Sequence, residues 1–373
     1  MRTLLQLLRK TAIALARALL LICLWPFYTP AGYLRHLRYH WSGGTLRHAT
    51  VTQRAPFSSA SIAIFACYPG HADPTMPWQL AELRRAGFEI LLVANRRLDP
   101  ALAALYAPYA QTIIERPNVG RDIGAYRDGY LHLQQLGLLE GLDELLLIND
   151  TLVFPLFDAT TFWHDLRALP YAVTGPYENF SLGRHLQSFM ILMRQGVPSH
   201  PAVRAFWDGY RPVDTRLHAV RKGEVGFSRA LRRAGISFGP LCDALYMIDA
   251  LPAQTEDARL LETLMQLKLD APPDILGRPP AEQRALLQRE LGRRSTDSNV
   301  SHSAGLFLAA RGVLPLLKKD LLSRGTANPA DLWWLRGVAE VDLLLVLQAL
   351  KEKRLRVERS LFEQIETDLL QIK

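Results

Sequence analysis

The stretch Asn118-Val119-Gly120-Arg121-Asp122-Ile123-Gly124 and the pair Asn149-Asp150 carry the side chains of this chain best suited to chemistry. The Arg121 guanidinium suits a phosphate or a carboxylate. Gly120 and Gly124 let backbone approach a ligand closely. Asp122 either caps the helix that follows, accepting from its first free N–H groups, or binds a base or ribose. The loop is not the G-x-G-x-x-G fingerprint, because it holds only two glycines, four apart. Nor is it a P-loop, since no Gly-Lys-Ser/Thr follows. Taken alone, an ordinary capped helix start accounts for it as well. Asn149-Asp150 closes the apolar run ELLLI at 144–148. A hard cation such as Mg²⁺ or Mn²⁺ takes oxygen ligands, usually one or two carboxylates plus substrate phosphates. Asp150 at a strand end would hold such a metal against a diphosphate, and the plainer alternative is an Asn-Asp turn.

Two further groups lie downstream. His185 and Gln187 share one parity in the extended stretch at 184–193. They therefore face one side of a sheet, and on the cleft side they would line an acceptor pocket. Glu224 opens the helical sequence VGFSRALRRAG, where a first-turn acid complements the helix dipole.

These groups need strands and helices to hold them. Ser61–Cys67 (SIAIFAC), 88–95 (FEILLVAN), 111–115 (QTIIE) and 144–148 are short apolar runs. Helical patterns at 76–86, 99–109 and 120–135 separate them. Such alternation predicts a mostly parallel sheet with helices on both faces. Ligands of such sheets bind beyond the carboxyl ends of the strands. Here those ends carry Tyr68, Asn95, Asn118 and Asn149-Asp150. A strand pattern at 172–178, another at 189–193 and helices at 200–210 and from 224 continue the fold to about residue 250. Residues 251–373 read as a helical C-terminal region broken by Pro-Pro at 272–273 and 279–280.

Hydrophobic content of 49% and charged content of 21% suit a folded chain with a core. The net charge of +8 suits an anionic partner. Three scattered cysteines argue against a disulfide scaffold and a structural zinc site. Residues 1–55 form a basic, amphipathic segment. Its longest uncharged run, Ala18 to Tyr28, falls short of the roughly 20 residues that a spanning helix needs. It suits a helix lying in a membrane surface, with no signal-peptide cleavage pattern after it. Basic residues interleaved with aromatics occur only at 33–41, so nucleic acid is not expected as a partner.

The order of several motifs resembles the rhamnan synthesis F family of bacterial cell-surface polysaccharide assembly, and more broadly the GT-A glycosyltransferases. The motifs are PNVGRDIGAYRDGY (117–130), DELLLINDTLVFPL (143–156), Phe162-Trp163, HLQSFMILMR (185–194), AFWDGY (205–210), EVGFSRALRRAG (224–235) and VLPLLKKDLL (313–322) followed by Asn328-Pro329. The resemblance spans about residues 60–335. It implies a GT-A-like, Rossmann-like domain over 56–250 and a nucleotide-sugar donor, plausibly of rhamnose or another deoxysugar. It also implies a lipid-linked glycan acceptor and work at the cytoplasmic face of the bacterial inner membrane. In that setting Tyr68, Asn95, Asn118, Gly120, Arg121, Asp122, Asn149 and Asp150 are expected to hold the donor, Asp150 a metal, and His185 and Gln187 the acceptor. Glu224 takes the place of the carboxylate that deprotonates the acceptor hydroxyl. The sequence departs from the full Asp-x-Asp metal motif, offering one carboxylate at Asn149-Asp150. That departure keeps a second expectation open, a non-catalytic glycan-binding or scaffold subunit.

Overall fold

A computed structural model describes residues 49–68, 73–180, 182–251, 257–269, 272, 274–297 and 299–355, together with the isolated residues 34 and 37. The membrane-surface segment expected at 1–55 falls almost wholly outside these residues, as does the helical pattern beyond 355. No helix of the described residues is long and apolar enough to cross a membrane.

The first half follows the expected alternation. Strand β1 is Thr50–Gln53, β2 Ser61–Cys67, β3 Glu89–Ala94, β4 Ala110–Glu115 and β5 Glu144–Asn149. Helices α1 (Met76–Arg85), α2 (Pro100–Tyr106) and α3 (Arg121–Gln135) join β2 through β5. Then come β6 (Leu152–Val153), α4 (Thr160–Ala168), β7 (Val173–Gly175), β8 (Glu178–Asn179), β9 (His185–Leu186), β10 (Met190–Arg194) and α5 (Pro201–Gly209). Helix α6 (Val225–Arg233) and strand β11 (Phe238–Pro240) close this part.

Eight strands form one sheet in the order β1-β4-β3-β2-β5-β10-β7-β11. β2, β3, β4 and β5 run parallel, while β10 is antiparallel to both β5 and β7, and β1 antiparallel to β4. The chain leaves β2 towards β3 and β4, then returns to β2's other side as β5. The strand order therefore reverses between β2 and β5, where open α/β sheets hold their ligands.

Both faces of the sheet are covered, which explains the unbroken apolar runs. Ala63, Phe65 and Cys67 point into one core with Leu80, Leu83, Phe88 and Trp163. Ile62, Ile64 and Ala66 point into the other with Tyr126, Tyr130, Leu133, Trp207 and Phe227.

Two expectations change, and a third gains detail. Residues 50–53, assigned with the N-terminal segment, are a strand of the sheet. The stretch around 185–193 is not one strand: His185–Leu186 pairs with Glu178–Asn179 in a separate hairpin, and the sheet strand starts at Met190. The helical C-terminal region also adds a strand and part of the core. Its strand β12 (Leu317–Lys318) pairs antiparallel with β6, Leu317 opposite Val153 and Lys318 opposite Leu152. Phe307, Leu308, Leu314 and Leu316 join the same core as β2 and β5.

Candidate active site

The polar loop is held from below by Arg116, a fully buried arginine at the end of β4. Its Nε donates to Asp128 Oδ2 at 2.6 Å and its terminal nitrogens to Asn95 Oδ1 and to the Val119 carbonyl. One guanidinium thus ties β3, α3 and the loop together. Asn95, expected at the donor, is buried and engaged in this support. The glycines also make room for the protein's own chain. A Cβ on Gly120 would lie 2.3 Å from Pro212 Cβ, and one on Gly124 2.2 Å from the Val119 carbonyl. The Gly120 N–H donates to Asp214 Oδ1 at 2.6 Å. Gly120 (φ 79°) and Arg121 (φ 58°) both adopt the left-handed region, which a non-glycine residue enters at a cost.

Asp122 does not cap α3, whose N-terminus has no side-chain cap. Its Oδ2 accepts instead from Asn149 Nδ2 at 3.0 Å. Asn149 Oδ1 in turn accepts from the Thr151 N–H and hydroxyl, fixing the amide's orientation. Next to it, Asp150 Oδ2 accepts from the Tyr68 N–H at 2.9 Å, across the β2/β5 switch point. Tyr68 leaves 47% of its surface exposed there, and Asn118 is exposed on the loop. Burial and the neighbouring charge of Asp150 push the Asp122 carboxyl up. Two carboxylates that repel each other in this way suit a shared cation. Among the described residues no three His, Cys, Asp or Glu side chains gather as a metal cluster. Asp122 and Asp150 therefore fit a metal only if a substrate supplies the remaining oxygens, as Mg²⁺ sites commonly require.

Glu224 ends a π-helical stretch, Ala219–Glu224, that runs directly into α6. π-turns inside helices often mark functional positions. Glu224 Oε1 accepts from the Ser188 hydroxyl and, at 3.3 Å, from its N–H. Oε2 lies 3.4 Å from His185 Nε2, and His185 Nδ1 lies 2.6 Å from the Gly183 carbonyl. Burial works against charge on both groups, yet each gains more from the other. The result is a His185 imidazole held above its ordinary range and a Glu224 carboxyl held below its own. The Tyr126 hydroxyl donates to the Ser188 carbonyl at 2.8 Å, linking this group to α3 four residues after Asp122. Gln187 goes elsewhere: its Nε2 donates to Asn299 Oδ1 at 2.8 Å, and its Oε1 accepts from the Ser301 hydroxyl at 3.1 Å. His185 and Gln187 thus meet different partners, because the hairpin breaks the parity expected of one strand.

The sequence pointed to Arg121, and to Arg221-Lys222, as cations for a diphosphate, but did not reveal Lys318, Lys319 or Arg216. The β6–β12 pairing brings Lys318 Nζ to 2.9 Å from the Thr151 hydroxyl and 4.5 Å from the centroid of the Phe189 ring. Buried Lys319 donates to the Asp150 carbonyl and to Asp73 Oδ2, both at 2.8 Å. Burial lowers the Lys318 ammonium to about 8, with Asp320 and Asp122 opposing and Arg324 and Lys353 assisting. Arg216 is brought down to about 10 by burial and by Arg324, within reach of the charges of Asp320, Arg121 and Glu224. Asp320 itself pairs with His302, at 2.9 Å, and with Arg324. Arg221 and Lys222, which follow Arg216 closely in sequence, are exposed. The only advance signal for the lysines was the VLPLLKKDLL motif, which carried no indication of its spatial neighbour.

Comparison with known proteins agrees with the resemblance over the middle of the chain. The sequence model of the family described as rhamnan synthesis protein F matches residues 90–261, which carry Asp122, Asn149-Asp150, His185, Arg216 and Glu224. The uncharacterized protein y4gN of Sinorhizobium fredii is 26% identical over 197 residues, 52% of this chain and 51% of that protein. The chain thus spans about half the length of the curated relative it matches. Among solved structures, a mannosyltransferase from Pyrobaculum calidifontis in complex with GDP-Man and Mn²⁺ aligns with a TM-score of 0.34 and 14% identity, covering 93% of this chain and 99% of that one. The glycosyltransferase GlyE of Streptococcus pneumoniae aligns with a TM-score of 0.30 and 10% identity, covering 79% of this chain and 64% of that one.

Proposed function

We propose that this chain is a glycosyltransferase of bacterial polysaccharide synthesis. It moves a sugar, rhamnose or another deoxysugar, from a nucleotide donor to a lipid-linked glycan. One observation carries the reading: the Asp122–Asn149–Asp150 group and the Glu224–His185–Ser188 group meet through Tyr126 at the strand-order reversal of the sheet. A donor-binding half and an ionised carboxylate thereby share one rim.

In the reaction the acceptor hydroxyl oxygen bonds to the anomeric carbon. The bond from that carbon to the diphosphate oxygen breaks, and the nucleoside diphosphate leaves with the electron pair. The hydroxyl proton passes to Glu224, which His185 and Ser188 hold ionised and oriented. The exposed Tyr68 ring offers a stacking face for the base. A Mg²⁺ or Mn²⁺ ion held by Asp122 and Asp150 would add Lewis-acid charge at the diphosphate. The basic segment at 1–55 would keep the chain on the cytoplasmic face of the inner membrane, and flotation with anionic vesicles tests that part.

One observation favours a second reading, a non-catalytic glycan-binding or scaffold subunit. Glu224 is held below its ordinary range, which weakens it as a base. A transfer assay with radiolabelled nucleotide sugars separates the two. A transferase loses about 10²–10⁴-fold in rate with Glu224→Gln and also falls with Asp150→Ala. Wild-type protein that binds glycan yet turns over no nucleotide sugar sinks the enzyme reading.

A further inference from the structure

Lys318 and Arg216 share an unusual situation. Each is half-buried. Among the described residues neither makes an ion pair with a carboxylate, although most of the buried charges around them do. Lys319 is matched by Asp73, Arg324 by Asp320, and His185 by Glu224. Among the described residues the Lys318 ammonium contacts only the Thr151 hydroxyl and the Phe189 ring. Partly desolvated cations with no carboxylate partner are costly unless an anion completes them.

Their positions point to where that anion lies. Lys318 touches the residue that follows Asp150 and feels the charge of Asp122. Arg216 feels the charges of Arg121 and Glu224. Both feel the charges of the same Asp320–Arg324 pair. Lys318 is thus tied to the turn after Asp150, and Arg216 follows by two residues the Asp214 carboxylate that accepts from the Gly120 N–H of the polar loop.

We infer that Lys318 and Arg216 bind the diphosphate of the sugar donor, so that the C-terminal strand β12 supplies part of the donor site. This rests on the transferase reading for the identity of the ligand. Lys318 acts as a point charge and Arg216 as a planar fork able to take two oxygens at once. Thr151 and Phe189 hold the ammonium in place without neutralising it. Both cations would remain on the diphosphate as it leaves and takes on charge.

Calorimetric titration of the full chain with inorganic pyrophosphate tests the site without needing turnover. Wild type should bind saturably. Lys318→Met and Arg216→Met should each weaken binding by about 10- to 100-fold, while Lys318→Arg should stay within a few-fold of wild type. Arg278→Met, on the surface and paired with Asp274, should change nothing. Far-UV circular dichroism should show the wild-type spectrum in every variant, and loss of it in one methionine variant leaves the other, together with Lys318→Arg, to decide. Unchanged affinity in a folded methionine variant, or no saturable binding by wild type, overturns the inference. Either result leaves the transferase reading to its own assay, and absent sugar transfer with intact pyrophosphate binding overturns only that reading.

Discussion

His185 and Glu224 hold each other in the charged state, and the sign of each shift fixes when that matters. His185 lies above its ordinary value of 6.5, so its contribution is complete below 6.5 and disappears as pH climbs through the raised folded value. Glu224 lies below its ordinary value of 4.5, so its contribution is present above 4.5 and is lost as pH falls through the depressed value. The ion pair is therefore strongest between these two ordinary values. With His185 buried and Glu224 largely so, His185→Gln should cost about 1.5–3 kcal/mol in that window. The penalty should shrink as the solution becomes alkaline, without reaching zero, because the neutral contacts persist. Thermal unfolding of both proteins at a series of pH values measures this. A penalty that is flat or grows with pH would show that the pair is not ionised. The same pairing bears on catalysis, since a protonated His185 makes Glu224 a weaker base, so activity should rise as His185 deprotonates.

At the scale of the element, the loop between β4 and α3 owes its shape to one buried ion pair. Arg116 and Asp128 are both almost fully buried, and Arg116 alone spans Asn95, Asp128 and Val119. Removing one partner of such a pair strands a charge. Asp128→Asn should therefore lower unfolding free energy by about 3–5 kcal/mol, read from the denaturant midpoint, while Asn118→Ala, exposed on the same loop, leaves the midpoint nearly unchanged. Equal effects of the two would place the loop's support elsewhere. Polar types at the ends of apolar runs marked Tyr68, Asn118 and Asp150 from the sequence, and the glycine-containing polar loop marked Asp122. It could not separate a residue facing a ligand from one facing the chain. Gly120 and Gly124 read as room for a ligand, but Pro212 and the Val119 carbonyl fill that room. Asp122 read as a cap or a ligand, and only the tertiary contact with Asn149 excludes the cap.

Across the whole molecule, legibility followed sequence distance and burial. β2, β3 and β5 were plain because a strand covered on both faces is apolar throughout. The two-residue strands β6 and β12 have no such signature, and Thr151 and Lys318 are 167 positions apart. Every cation that their pairing delivers was therefore hidden, as was the merging of the C-terminal region with the sheet's core. That merging puts described C-terminal residues into the same hydrophobic core as the sheet. Phe307, Leu308, Leu314 and Leu316 are at most 1% exposed, each contributing about 1.5–3 kcal/mol by burial. Together they are comparable with the ~5–15 kcal/mol that stabilises a typical domain. A chain ending at residue 250 should consequently lose its cooperative thermal transition and bind a hydrophobic dye, because the matching face around Phe154, Tyr177 and Phe189 is uncovered. A sharp transition in that shortened chain, together with wild-type near-UV circular dichroism, would show that the sheet domain folds alone and that β12 merely docks on it.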